Sequence, residues 1–255
     1  MAKYDDLADI YHNTRMSGKA FYNEYYEVPA MLRLLPNLKG KNVLDLGCGS
    51  GIYTKIFLSK GAAVTGVDIS RKMIEIAKTY APEAKYLCQN MTKLTVPKSS
   101  FDIAVASLAL QYLTNWKPAL KAVYRSLKKG GFFFFSITNP LFEIADVFDR
   151  SGRHYSWIGH DTNFKKGKTV VHGDYFRQRW IVLKWRTERW GKPIGLRNYH
   201  RTLEYVINTC IAAGFVIKGV YEPRPVAAGA KISPVEYKIR SQLPNFMIFK
   251  LQKPN

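Results

Sequence analysis

Two carboxylates and a run of glycines stand at spacings suited to holding a ligand. Asp45 lies in Val43-Leu44-Asp45-Leu46-Gly47-Cys48-Gly49-Ser50-Gly51, and Asp68 follows seventeen residues after Gly51. Glycines let a chain turn tightly from strand to helix and let a ligand approach the backbone. Such loops mostly serve nucleotides, so the spacing discriminates. A dinucleotide fingerprint, G-x-G-x-x-G, would put its third glycine at position 52, which is Ile52. The Gly-Lys-Ser/Thr ending of a phosphate-binding Walker loop is also absent. Asp45 at the base of the loop would repel a pyrophosphate but welcome an ammonium or sulfonium. Asp68, ending the next apolar run, is placed to accept both hydroxyls of a ribose. The ligand so described carries a ribose and a cationic group but no phosphate. S-adenosylmethionine meets that description.

These residues need strands to end at one edge, and the surrounding sequence supplies them. Short apolar runs at Val43–Leu46, Ala63–Val67, Ala84–Cys88, Phe101–Ser107 and Phe132–Ile137 alternate with helical stretches at Tyr53–Ser59, Arg71–Tyr80 and Pro118–Leu127. The last has Asn115 as a cap, Pro118 in its first turn and Gly130-Gly131 past its end. Alternation of this kind predicts an α/β fold with a parallel sheet wrapped by helices on both faces. Before it, residues 1–40 read as two tyrosine-rich amphipathic helices, Tyr4–Asn13 and Lys19–Leu35. After it, 141–198 reads as an inserted cap of antiparallel strands, with extended stretches at Lys168–Phe176 and Gln178–Trp190. A helix over Thr202–Ala213 and strands at Phe215–Tyr221 and Phe246–Leu251 complete a single domain, with 41–140 as its ligand-binding core and 199–255 as its last helix and edge strands.

Composition narrows the class. In 255 residues, 47% are hydrophobic and 23% charged, which excludes a disordered or collagen-like chain. No apolar run approaches the roughly 18 residues of a membrane helix, and the start reads as no signal peptide. Three scattered cysteines make neither a disulfide framework nor a zinc set, so a cytoplasmic setting without a metal is expected. The 39 Lys and Arg against 19 Asp and Glu leave a formal charge of +20. Residues 150–201 concentrate it, with thirteen bases and three acids.

The stretch Val43–Gly51 resembles motif I of the class I S-adenosylmethionine-dependent methyltransferases, and Val64–Ser70 their acidic-loop motif. Ser100–Leu113 and Leu127–Phe132 match further, most closely the subgroup that includes the ubiquinone and menaquinone methyltransferases. Tyr199-His200-Arg201-Thr202-Leu203 and Ala213-Gly214-Phe215 also look like that subgroup. The resemblance implies a Rossmann-like seven-stranded sheet, mostly parallel with one antiparallel strand, and an N-terminal helical lid. It implies that Tyr11, the backbone of Gly47, Cys48, Gly49 and Gly51, and Asp45 lie along S-adenosyl-L-methionine. Asp68 would hold the ribose, Ile69 and Met73 would flank the adenine, and Asn90-Met91 would meet its edge, with asparagine where the family usually has an acid. The carbonyls near Ala106 and Ser107 would receive the methionine ammonium.

The acceptor side is thinner. His200 is the first choice for a general base, since imidazole titrates near neutrality; His154, His160 and His172 lie in the insertion. Tyr25, Tyr26, Tyr112, Tyr199 and Arg201 are the expected substrate contacts, suited to an aromatic or anionic small molecule. The leading expectation is therefore O- or N-methylation of a small molecule. The alternatives are a methyltransferase for RNA or another macromolecule, guided by the basic stretch Arg177–Trp190 that interleaves cations with indoles, and a non-catalytic cofactor-binding protein. Nothing in the sequence fixes an oligomeric state.

Overall fold

A computed structural model describes residues 4–143, 146–148, 154–156, 159–163, 166–184 and 195–255. The sheet is built from β1 (Asn42–Leu46), β2 (Ala63–Asp68), β3 (Lys85–Cys88), β4 (Phe101–Ser107) and β5 (Leu127–Thr138), joined late in the chain by β12 (Val216–Tyr221) and β13 (Phe246–Gln252). Its order is β12-β13-β5-β4-β1-β2-β3, and only β13 runs antiparallel to its neighbours. From β1 the chain lays strands outward through β2 to β3, then returns to place β4 on the other side of β1. That reversal opens a crevice at the carboxyl ends of β1 and β4, the usual ligand position in open α/β sheets.

Side-chain alternation explains the two packed faces. Phe133 and Phe135 of β5 join Leu44, Leu46 and Trp116 on one face, under α5 (Lys117–Ser126) and α7 (Leu203–Ala212). Phe134 points the other way and joins Val43, Phe57, Val105 and Met31, under α2 (Val28–Leu34) and α3 (Ile52–Ser59). α4 (Arg71–Tyr80) is capped by the Ser70 hydroxyl, which accepts from the Met73 N–H at 3.1 Å. Asn115 does cap the first turn of α5, its Oδ1 accepting from the Lys117 N–H.

Several boundaries differ from expectation. α5 ends at Ser126 because Leu127 is already extended and starts β5, so Gly130-Gly131 lie within that strand, where its register with β4 slips. α1 (Ala8–Met16) follows a 3-10 turn at Asp5–Leu7. The second helical segment has a π-helical stretch at Asn23–Glu27 leading into α2. Pro29 explains that stretch, since it has no N–H to give the Tyr25 carbonyl. The carbonyl instead accepts from the Val226 N–H at 2.8 Å, which ties the segment to the chain between β12 and β13. That connection holds α8 (Gly229–Ile232) and α9 (Pro234–Arg240), two helices the sequence pattern does not announce.

After β5, α6 (Pro140–Glu143) precedes three two-stranded antiparallel ribbons. They pair β6 (Asp146–Phe148) with β7 (His154–Ser156), β8 (Gly159–Asn163) with β9 (Lys168–His172), and β10 (Trp180–Lys184) with β11 (Gly195–Tyr199). The expected strand over Gln178–Trp190 is thus β10 for its middle part, and residues 185–190 lie outside the described residues. No helix among the described residues is long and apolar enough to cross a membrane.

The Phe135 ring stacks on Phe249 with centroids 4.7 Å apart and has no solvent exposure. Phe135→Ala is expected to cost about 3–5 kcal/mol, read as a lower midpoint in denaturant unfolding. An unchanged midpoint would mean this face of the sheet is not the stabilising core.

Candidate functional site

The turn off β1 is fixed to β2 by three hydrogen bonds. The Gly47 and Cys48 N–H groups both donate to the Val67 carbonyl, at 2.7 and 3.0 Å, and the Gly49 N–H donates to Asp68 Oδ2 at 2.9 Å. Asp68 Oδ1 accepts from the Ser70 N–H at 2.8 Å. Gly47 has φ +69°, and a Cβ there would stand 2.6 Å from that of Ala109, so no side chain fits. Cys48 is buried against Gly66, and burial raises its thiol well above the ordinary range, as suits a filler residue.

Beside the loop lies a small cavity lined by Tyr11, Arg15, Asp45, Tyr53 and Ser107 as well as the loop itself. Its floor is acidic. Asp45 is buried and accepts from Thr54 Oγ1 at 2.7 Å. Glu27, fully buried, accepts from the Tyr53 hydroxyl at 2.7 Å and from Ser136 Oγ at 2.5 Å. Loss of water pushes the Asp45 carboxyl up to about 7 and also raises Glu27 and Asp68. The facing cation is Arg15, whose Nε donates to Glu24 at 2.6 Å and Nη1 to the Tyr11 hydroxyl at 2.8 Å. Its Nη2 is buried without a hydrogen-bond partner among the described residues.

Many of the expected cofactor residues converge here. Tyr11, Asp45, Gly47, Cys48, Gly49 and Ser107 line the cavity. Gly51, with φ +85°, turns the chain into α3. Met73 is buried near Gly49, Met91 approaches Gly47, and Ile69 stands 57% exposed at the end of β2. Asn90 differs from expectation. Its Oδ1 accepts from both the N–H and the hydroxyl of Thr92, capping a 3-10 turn, so that oxygen is already engaged.

The acceptor-side expectations fare differently. Tyr26 has no exposure; its ring packs on Phe246 and its hydroxyl accepts from the Asn245 N–H, so it is a core residue and no substrate contact. Tyr25 donates to the Gly18 carbonyl and packs against Gly229, docking the N-terminal segment instead. Arg201 is 3% exposed, its guanidinium over the rings of Tyr199 (4.4 Å) and Tyr205 (4.7 Å), so both it and Tyr199 serve packing. His200 is fully buried with both ring nitrogens engaged, Nε2 with the Tyr175 carbonyl at 2.8 Å and Nδ1 with Glu143 at 3.3 Å. It stands behind Glu143. The side chains of His154, His160 and His172 lie outside the described residues.

Only Tyr112 stays near the site, its hydroxyl 2.6 Å from that of Tyr4, whose ring also packs edge-on to Tyr11. Sequence reasoning missed Arg15, Glu27, Tyr53 and Glu143. Arg15 had a signal, standing one helical turn after Tyr11. Glu27 had none, because its role depends on a contact with Ser136, 109 residues away.

A strand-order reversal, a glycine turn without a phosphate grip and an acidic floor define a nucleoside-binding α/β protein for a ligand with cationic character. Comparison with known proteins agrees. Residues 44–135 match a family model described as a methyltransferase domain. An uncharacterized protein of Haemophilus influenzae is 31% identical over 98% of this chain and 95% of its own. A ubiquinone biosynthesis O-methyltransferase of Coxiella burnetii is 33% identical over 56% of this chain, and the match spans 63% of that enzyme. The solved structure of an S-adenosylmethionine dependent methyltransferase from Mesorhizobium loti is 29% identical, with a TM-score of 0.68 over 89% of this chain and 97% of that one. A Listeria monocytogenes structure, 26% identical, gives 0.71 over 90% and 97%. The chain belongs to the class I S-adenosylmethionine-dependent methyltransferases, and S-adenosyl-L-methionine is its cofactor.

The raised Asp45 carboxyl has a stability consequence. Its folded value, about 7, exceeds the ordinary 3.8, so the folded chain holds a proton that the unfolded chain has lost between those values. Stability from this group is complete below about pH 4 and declines as pH rises through about 7. In the ligand-free protein Asp45→Asn should remove that decline, a difference on the order of 4 kcal/mol at pH 7. Parallel unfolding midpoints for both proteins between pH 4 and 7 would contradict it.

Proposed function

We propose that this methyltransferase methylates a hydroxyl oxygen or amine nitrogen of a small molecule in the cytoplasm, with oxygen the favoured atom. The O-methyltransferase relatives support that choice of atom and substrate class. The observation that carries the reading is the buried acid Asp45 set beside one half-satisfied arginine, Arg15, in the cavity at the end of β1. That set complements a zwitterion. Asp45, with the carbonyl side of Ser107, would take the cofactor's ammonium, and Arg15 Nη2 its carboxylate.

Asp68 would hold the ribose. Each of its oxygens accepts one backbone N–H and keeps a lone pair, one for each ribose hydroxyl. Ile69 and Met73 would flank the adenine, and the backbone at Met91 would meet its edge. The cofactor supplies an electrophilic methyl on a sulfonium, displaced in line by the acceptor. What the chain contributes is alignment and exclusion of water. α1 and the turn before it serve the second task, since Tyr11 lines the cavity and Tyr4 lies between Tyr11 and Tyr112. In this reading they act as a lid. The three cysteines are free, in keeping with a reducing compartment.

Asp68→Ala should weaken S-adenosylhomocysteine binding at least tenfold in calorimetry (~1.4 kcal/mol), and Arg15→Leu should do the same through the carboxylate. Unchanged affinity would remove the corresponding assignment. Transfer of a labelled methyl group into a cell extract should mark the small-molecule fraction. Label in RNA would favour a macromolecular substrate instead, with binding that weakens steeply as salt rises.

A further inference from the structure

Beyond the cofactor cavity, a second polar cluster is buried where β4 and β5 end. The Thr138 N–H donates to Gln111 Oε1 at 3.1 Å, and Asn198 Nδ2 donates to Thr138 Oγ1 at 3.2 Å. Glu143 follows β5 in α6 and is only 7% exposed. Its Oε2 faces His200 Nδ1. Among the described residues its Oε1 is buried with no hydrogen-bond partner, and so is Asn198 Oδ1.

Two buried acceptors without donors are unfavourable, because each has given up water and gained nothing in return. A ligand that brings hydrogen-bond donors relieves that cost. The cluster is contiguous with the cofactor side through aromatic rings. Burial first, and then neighbours that include Tyr11 and Glu143, push Tyr112 up to about 12, so Tyr112 lies within electrostatic reach of both. Tyr4 bridges the same gap, its ring centroid 6.3 Å from that of Tyr11 and 5.6 Å from that of Tyr112. A phenol of the chain itself thus occupies the space between the cofactor cavity and Tyr112.

We propose that Glu143 is the catalytic base for a hydroxyl-bearing, phenol-like acceptor, with His200 as the positioning residue behind it. This rests on the methyl-transfer reading above. The Tyr175 carbonyl can only accept, so His200 Nε2 carries a proton and the ring is fixed in one orientation. A Glu143 carboxylate likewise only accepts, so in the form that acts as base Nδ1 carries a proton as well and donates to Oε2, which leaves Oε1 for the acceptor. In the step, a lone pair of the acceptor oxygen forms the bond to the methyl carbon. The carbon–sulfur bond breaks with its electron pair returning to sulfur, and the acceptor's proton passes to Glu143 Oε1. Asn198 Oδ1 takes a second donor from the acceptor and fixes its orientation.

The experiment compares the wild-type protein, Glu143→Gln and Glu143→Ala. It measures labelled-methyl transfer into the small-molecule fraction of an extract, S-adenosylhomocysteine affinity by calorimetry, and melting temperature. Glu143→Gln is expected to slow transfer about 100-fold, with affinity and melting temperature close to wild type. Added formate should restore at least tenfold of the rate lost in Glu143→Ala, a response that a packing role would not give. Transfer by Glu143→Gln at the wild-type rate, or no rescue by formate, overturns the base while leaving the methyltransferase reading intact. If the wild type marks no small molecule, the small-molecule reading fails and the proposal fails with it.

Discussion

The amides of Gly47 and Cys48 share the Val67 carbonyl, and the next amide, Gly49, reaches the Asp68 carboxylate. This knot between the turn off β1 and the end of β2 sets the position of everything around the cofactor cavity. Asp45 lies just before the turn, while Tyr53 and Thr54 lie in the first turn of the helix after it. A shift of the turn would separate Asp45 from Thr54 and Tyr53 from Glu27. It is tight because Ala109 closes over Gly47, leaving no room for a Cβ. Asp68 therefore has two tasks, holding the loop with one lone pair of each oxygen and presenting the other pair outward.

Electrostatics at the cavity run against the molecule as a whole. The chain carries +20, yet Asp45, Glu27 and Asp68 stand around the loop, their carboxyl groups raised above the ordinary range because burial penalises their charged forms. A cationic ligand group favours their ionisation, so ligand binding and proton release are coupled at this site. Arg15 is held between Glu24 and Tyr11 with one nitrogen in reserve. The helix that carries it also bears Asp9, paired with Lys72 on α4, and Asp5 in the preceding turn meets the Ser70 hydroxyl. The N-terminal segment is thus fastened at the same strand end that carries Asp68.

The excess positive charge has a plainer place. In the insertion Lys166, Lys168 and Arg177 are exposed, and Arg179 donates to the Asp174 and Arg177 carbonyls. Among the described residues these cations face solvent or the ribbon's own backbone. Arg201, by contrast, is buried, with its guanidinium over aromatic rings and Nη1 donating to the Tyr199 carbonyl. The charge is therefore available to draw an anion toward the molecule.

The sequence by itself determined the sheet, the glycine turn and the two acids, because each is written in local spacing. Alternation of phenylalanines assigns the two faces of β5. Glycine at 47, 49 and 51 admits a turn that other residues resist, and an acid ends β2. Tertiary structure decided the acceptor side, where a residue's role depends on what distant segments put against it. His200 reads as a base in its local motif, but the carbonyl of Tyr175 and the carboxylate of Glu143 occupy both its nitrogens. Tyr26 and Tyr25 read as substrate contacts, but Phe246, Asn245 and Gly229 claim them for packing. Glu27 and Glu143 carried no signal, since burial and the partners that give each its chemistry exist only once β4, β5 and the N-terminal helices are assembled.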